Sequence, residues 1–442
     1  MTRRGRLAAL LVVLLVSSGA LVWQGGHRQV PLHQEGVTRD AWGRLVAVAP
    51  GRTAEGWLPL STDGETRPLE VSVLASRAAG RQVWLGAGWQ PDPAAPHADL
   101  LRTALEDLHT LTGPTDTAPG AVLAGASPAW RFVWPRDASF VAVALARTGH
   151  EQDALDVLLL LQDLQSPDGS MQARYLPAGD GTVPDERLAQ EDGPGWALWA
   201  AREVIDADAG LPVSGSGEDS ATLLTPLVVR STARLLDRLD PATGLPRPSP
   251  DYWERPEEQL TLGIAATSLM GLEAAADLYA GGAVAEGEWL AAGVDPTRLE
   301  PTAAAVRERV VDEFRPSFPR HVGGRPDAAV TFLLPPFVDE PVAGAEPARL
   351  RSQAAQRRPA GGLAPGAGWR NDGVSWTPET ALQALAAAHA GRPEEAQEWL
   401  DWLDNHRTDA GALPEKVLHD GDPVAVAPLA WTAALVVLAA RP

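Results

Sequence analysis

The sequence predicts an all-α fold, a toroid of antiparallel helix pairs with a short N-terminal extension. Three observations predict it. From about residue 99 onward, apolar residues recur at spacings of three and four in ten separate segments, the period of a helix with a buried face. Two pairs of these segments are joined through a single glycine and one further residue. The remaining connections are long loops rich in Gly, Pro, Asp and Trp, and long ordered loops on a helical scaffold usually carry function.

The elements follow in order. Residues 1–24 read as a signal peptide or membrane anchor. Arg3, Arg4 and Arg6 precede an uncharged run from Leu7 to Trp23, the pattern of an export signal. Ser18-Gly19-Ala20 fits a signal-peptidase site; it also fits the polar part of an uncleaved anchor with an Arg-rich cytoplasmic flank, which is the reading favoured here. Either way the rest of the chain is expected to be extracytoplasmic, secreted or membrane-anchored. Residues 25–98 read as a linker and a small irregular or β extension, with the alternation of Leu69-Glu70-Val71-Ser72-Val73-Leu74 predicting a strand. Residues 99–442 read as the helical domain. Its helices are expected over Ala98–Leu111, Ala138–Thr148, Glu151–Gln165, Pro194–Val204, Ser220–Leu239, Leu260–Tyr279, Pro301–Phe314, Pro378–Ala390, Pro393–His406 and Pro428–Ala440. Gly149 and Gly391 each stand where a C′ glycine ends one helix just before the next begins, which makes an αα-hairpin. Hairpins of this kind can close into six inner and six outer helices, an (α/α)6 barrel. Ten segments leave that count incomplete, and an open α-solenoid is the alternative.

Composition narrows the function. The chain has 442 residues, 45 % hydrophobic and 21 % charged, as in a soluble globular protein. A net charge of −20 argues against nucleic acid as a partner. The absence of cysteine excludes disulfides, thiolate metal sites and a cysteine nucleophile. Tryptophan is frequent, at 16, against 3 Tyr and 6 Phe. Of 37 basic residues only Lys416 is lysine.

Four loop segments combine Trp, Arg and carboxylates. The first is Trp130-Arg131-Phe132-Val133-Trp134-Pro135-Arg136-Asp137. Asp137 alone reads equally as a helix N-cap, but an Arg-Asp pair framed by two Trp suits a sugar: the charged groups meet hydroxyls and the indole stacks on the apolar pyranose face. The second, Gln190-Glu191-Asp192-Gly193-Pro194-Gly195-Trp196, also reads as a turn with Pro194 near the first helical position. The third, Asp251-Tyr252-Trp253-Glu254-Arg255, is expected to open a helix, where a lone Glu commonly serves the dipole. The fourth is Leu413-Pro414-Glu415-Lys416, followed by Pro428-Leu429-Ala430-Trp431-Thr432.

Together these segments, from about residue 125 to the C-terminus, resemble glycoside hydrolase family 15, the family of glucoamylases, glucodextranases and bacterial trehalases. Trp134-Pro135-Arg136-Asp137 is the strongest match. The resemblance implies an (α/α)6 barrel with its site at the mouth of the inner helices, and no metal or cofactor. It implies that Glu254, in a Trp-Glu pair with Trp253, is the general acid, and that Glu415, in a segment similar to the family's Leu-Pro-Glu-Gln, is the general base. Arg136 and Asp137 would hold the terminal sugar, Gln190 and Asp192 would line the same cleft, and Arg370, Trp376 and Trp431 would contribute to it. The implied reaction is inverting, exo-acting release of glucose from an α-glucan, with an oligosaccharide or polysaccharide as partner. One protonated carboxyl serves the leaving oxygen and one carboxylate activates water. Trehalase or glucodextranase activity on the same scaffold is an alternative; so is a catalytically lapsed, membrane-tethered glycan-binding protein.

The chain departs from the family beside the proposed chemistry. Arg255 stands where a second Glu is usual, Lys416 where Gln is usual, and Ala433 where His is frequent. A compact ammonium fits where an Arg fork does not, so the solitary Lys416 points with Arg255 to a ligand unlike plain maltose, anionic or trehalose-like.

Overall fold

The computed structural model describes residues 30–34, 36–39, 45–48, 58–59, 71–113, 117–208 and 219–441. The expected export segment, residues 1–24, lies outside them. Among the described residues no helix is long and apolar enough to cross a membrane.

The protein is mainly helical, as expected. Its α-helices are α1 (Val71–Ala87), α2 (Ala98–Leu111), α3 (Pro135–Arg147), α4 (Glu151–Leu164), α5 (Gly193–Ala207), α6 (Ser220–Arg238) and α7 (Leu262–Ala280), followed by α8 (Glu286–Ala291), α9 (Leu299–Phe314), α10 (Ala345–Gln356), α11 (Thr377–His389), α12 (Pro393–Asn405) and α13 (Ala430–Ala440). All ten helices read from periodicity are among them. The hairpin glycines take the left-handed conformation that ends a helix, Gly149 with φ 82° and Gly391 with φ 67°.

Burial sorts the helices into two layers. In α11 every residue from Thr377 to Ala387 is buried, and in α13 every residue from Ala430 to Ala439. A helix buried on all sides belongs to an inner layer. Helix α2 buries Leu100, Leu101, Ala104, Leu105, Leu108 and Leu111, one face only, and so belongs outside. The inner segments α3, α5, α7, a 3-10 turn (Ala328–Leu333), α11 and α13 pack each against the next, and α13 returns to α3. Each packs chiefly against one outer partner, in the same order α4, α6, α9, α10, α12 and α2. Aromatic side chains from the inner layer fill the centre: Phe140 lies 5.2 Å from Trp196, Trp196 4.8 Å from Phe332, and Phe140 5.8 Å from Trp431.

Two expectations are corrected. Val71–Leu74 is the first turn of α1, where a strand was predicted. Its period-two alternation is too short to outweigh the helical run that follows, and Trp84 of α1 docks on the helical body, stacked 3.6 Å from His150 with its Nε1–H donated to Asp153 at 2.6 Å. Second, Asp251–Arg255 does not open a helix; α7 begins only at Leu262, capped by Thr261, whose Oγ1 accepts the Ile264 N–H at 3.2 Å. Short strands do occur in the extension, at Leu32–His33, Gly36–Arg39, Leu45–Val48 and Leu58–Pro59. The first of them (β1) joins a small mixed sheet with Ser375–Trp376 (β2), Lys416–Val417 (β3) and Pro423–Val426 (β4), in the order β1, β4, β3, β2.

Candidate active site

A cavity of about 570 Å3 opens at the N-terminal ends of α3, α11 and α13 and the loop before α7. Of the residues singled out in the sequence, Trp134, Arg136, Asp137, Trp253, Glu254, Arg255, Arg370, Trp376, Glu415, Lys416 and Trp431 line it. Gln190 and Asp192 do not. They stand behind its wall: Gln190 donates Nε2–H to the Asp251 carbonyl at 3.1 Å, and Asp192 is the buried residue preceding α5.

Glu254 occupies a turn in which its own N–H reaches back to the Asp251 carbonyl at 2.7 Å. Its φ of 54° is left-handed, a strained value for a residue with a side chain. The turn is fixed from below. The Asp251 carboxylate is fully buried, accepts the Trp253 N–H at 3.0 Å, and takes both Arg320 guanidinium nitrogens at 2.9 and 2.8 Å. Arg320 also pairs with Glu257 at 2.7 Å and lies over the Trp253 ring at 3.8 Å. Gly263 in α7 has no Cβ because one would stand 2.6 Å from Asp251 Oδ2. Tyr252 donates its hydroxyl to Asp327, whose carboxyl is pushed up to about 6 by burial against the opposing pull of Arg320.

The two candidate catalytic carboxylates are tied to one sequence segment. Trp134 donates Nε1–H to Glu254 Oε1 at 2.8 Å, and Trp130 donates Nε1–H to Glu415 Oε2 at 3.1 Å. Each glutamate also meets a cation. Arg187 pairs with Glu254 Oε2, and Lys416 Nζ lies 3.1 Å from Glu415 Oε1. Lys416 is positioned by the small sheet: it faces Trp376 across the β2–β3 ladder, and its ammonium stands 4.1 Å from that ring. The Glu415 backbone is pinned by its N–H to Val426 at 2.8 Å and by its carbonyl to the Thr377 N–H at 3.1 Å.

Asp137 is not the N-cap; that position is Trp134, and Asp137 lies within the first turn of α3. It pairs with Arg136 at 2.8 Å, and burial raises its carboxyl despite that partner. Arg136 in turn lies over Trp431 at 4.1 Å. Asp192 is pushed up to about 7, first by burial and then by Asp251. Sequence reasoning missed Trp369, Arg174, Arg187 and Glu379, all of which line the cavity. Trp369 links Trp253 and Trp376, edge-on to each at 4.7 and 5.5 Å. Arg174 lies over Phe132 and pairs with Asp185. Glu379 is buried in the first turn of α11, and burial pushes it up to about 8. In the sequence it is one acid at a helix start, and only a helix buried on all sides reveals it as cavity lining. Among the described residues no cluster of His, Asp or Glu is arranged to hold a metal ion.

The fold is shared with glycosidases of known structure. A glycosidase solved in complex with glucose superposes with a TM-score of 0.61 at 20 % identity, over 77 % of this chain and 95 % of that one. The glucoamylase from Saccharomycopsis fibuligera gives 0.60 at 13 %, over 82 % and 95 %. A bacterial glucoamylase complexed with acarbose gives 0.62 at 14 %, over 86 % of this chain and 61 % of that one. No protein-family model matches the chain, and no curated protein matches it. The fold is thus that of the glucoamylase-type glycosidases, the family whose likeness the Trp134–Asp137 segment carries.

Proposed function

We propose that this protein is an exo-acting, inverting glycoside hydrolase that releases glucose from the end of an α-glucan, with Glu254 as general acid and Glu415 as general base. The six-step packing circuit is read as the (α/α)6 barrel of that enzyme type. The observation that carries the proposal is the convergence of two glutamates from distant loops on one Trp-lined cavity, each accepting an indole N–H from the Trp130–Trp134 segment. Inversion needs one carboxyl to protonate the leaving oxygen and one carboxylate to activate water on the opposite sugar face. Trp130, Trp134, Trp376 and Trp431 supply stacking surfaces for the sugar, and Arg136 and Asp137 supply partners for its hydroxyls. The Arg-rich start followed by the Leu7–Trp23 run supports export, with the body secreted or anchored.

A second reading is favoured by one observation: both carboxylates are ion-paired, Glu254 with Arg187 and Glu415 with Lys416. A glycan-binding protein without turnover would tolerate that arrangement. Turnover of a small α-glucan panel, followed by NMR of the product anomer, separates the readings. The β-anomer of glucose supports inversion, retention overturns the mechanism, and binding without product favours the second reading. Glu254→Gln and Glu415→Gln should each reduce kcat by about 10²–10⁴-fold, the usual contribution of a general acid or base.

A further inference from the structure

Glu379 has no part in the chemistry above, yet its setting is unusual. It lines the cavity, it is 2 % exposed, and its Oε2 has no hydrogen-bond partner. A buried carboxyl oxygen without a partner is costly to keep, and such atoms in a cavity wall commonly serve something that enters. The charged groups around it come from three elements: Arg136 of α3, with Asp137 as its ion-pair partner; Glu415 and its companion Lys416 from the β3 loop; and Asp327, paired with Arg320, at the 3-10 turn. Burial is the largest influence and raises the group to about 8; its own backbone N–H and then Arg136 oppose it, while Glu415 and Asp327 add to it. Near neutral pH the carboxyl therefore carries its proton and is a donor.

We propose that Glu379 is a specificity-determining residue of the cavity wall, donating a hydrogen bond from its carboxyl to an oxygen of a bound neutral pyranose. This rests on the sugar-binding part of the reading above and not on turnover. A sugar that fills the cavity displaces water from Glu379 and makes its ionisation harder still. Binding and protonation are then coupled, and affinity falls as pH rises through about 8.

The test is calorimetric titration of the full chain with D-glucose from pH 5.5 to 9, in the wild type, Glu379→Gln and Glu379→Ala. Gln keeps a neutral donor of nearly equal volume. The wild type should lose affinity above pH 8, approaching about tenfold per unit for one linked proton. Glu379→Gln should bind within about threefold of the wild type at pH 6 and lack that decline, while Glu379→Ala should be weaker by about tenfold, the loss of one well-placed bond. Thermal melts confirm that each variant is folded. A wild-type affinity that is flat from pH 7 to 9 overturns the proposal, as does a Gln variant that loses affinity like Ala, or a wild type that takes up no glucose. Glucose binding that depends on Glu379, without maltose hydrolysis, sinks the hydrolase reading and leaves this one standing.

Discussion

Replacing Glu254 with glycine should give a protein more stable than replacing it with alanine. Glu254 has φ 54°, a left-handed conformation that glycine adopts freely and an L-residue adopts at a cost of about 1–2 kcal/mol. Both variants lose the same side-chain partners, the Trp134 indole and the Arg187 guanidinium, so those losses cancel in the comparison. Both keep the backbone bond from residue 254 to the Asp251 carbonyl, so the turn itself is retained. Against the relieved strain stands the larger unfolded-state entropy of glycine, about 0.4–1 kcal/mol. The net is an advantage of about 0.5–1 kcal/mol for glycine, the reverse of the usual order at an ordinary position. Urea unfolding followed by tryptophan fluorescence reads it as a higher midpoint at unchanged slope. Equal midpoints, or a lower one for glycine, refute the claim that the proposed acid is held against backbone preference.

Arg320→Leu should destabilise the protein by about 3–5 kcal/mol, because it leaves the fully buried Asp251 and Asp327 without their cation; adding Asp251→Asn should recover part of the loss in the same thermal melts. Stability should fall from pH 5 to pH 8. Asp327, Asp192 and Glu379 are raised to about 6, 7 and 8, so the folded chain holds protons that the unfolded chain has released, and their stabilisation is lost as pH rises through each value. Glu379→Gln should flatten the upper end of that decline, as scanning calorimetry at three pH values would show. Arg255→Glu combined with Lys416→Gln should raise activity on maltooligosaccharides if these cations tune the cavity for another glycan, and an unchanged specificity constant discards that idea.

Five of the six outer partners were legible in the sequence because a one-sided apolar stripe repeats visibly, as in Leu100, Leu101, Ala104, Leu105 and Leu108 of α2. The fourth inner segment was not. Ala328–Leu333 is six residues of 3-10 turn stopped shortly afterwards by Pro335-Pro336, too short to show a period. Helix α10 escaped for the opposite reason. It is so polar that its buried face rests on Arg349 and Gln356, with Arg349 satisfied by Glu346 and Glu395 instead of by apolar packing. In the site, residue types near an evident motif were readable: Trp134 to Asp137, Trp253-Glu254 and Glu415-Lys416. What supports them was not. Arg320 and Asp327 hold the Glu254 turn from loops that carry no pattern, and Arg187 sits in a charged stretch, Asp185-Glu186-Arg187, that reads as solvated surface.

The two ion pairs look equivalent, but their surroundings differ in a way that suits opposite roles. Lys416 is 21 % exposed and confined between Glu415, the Trp376 ring and the β2–β3 ladder, so Glu415 keeps its cation, an arrangement that suits the base role proposed for it. Arg187 is 40 % exposed and already shared with Asp185 at 3.1 Å. For Glu254 to serve as the proposed acid, one of its oxygens must be free to carry a proton; on that reading Arg187 leaves Glu254 when a sugar binds, and Asp185 is the partner placed to receive it. Asp185→Asn should therefore tighten the hold of Arg187 on Glu254 and lower kcat severalfold with KM nearly unchanged. Arg187→Ala in the same background should restore it, because the competitor is gone. Steady-state kinetics on the three variants decide the matter: a kcat indifferent to Asp185, or a double variant as slow as the single one, shows that Arg187 does not gate the acid.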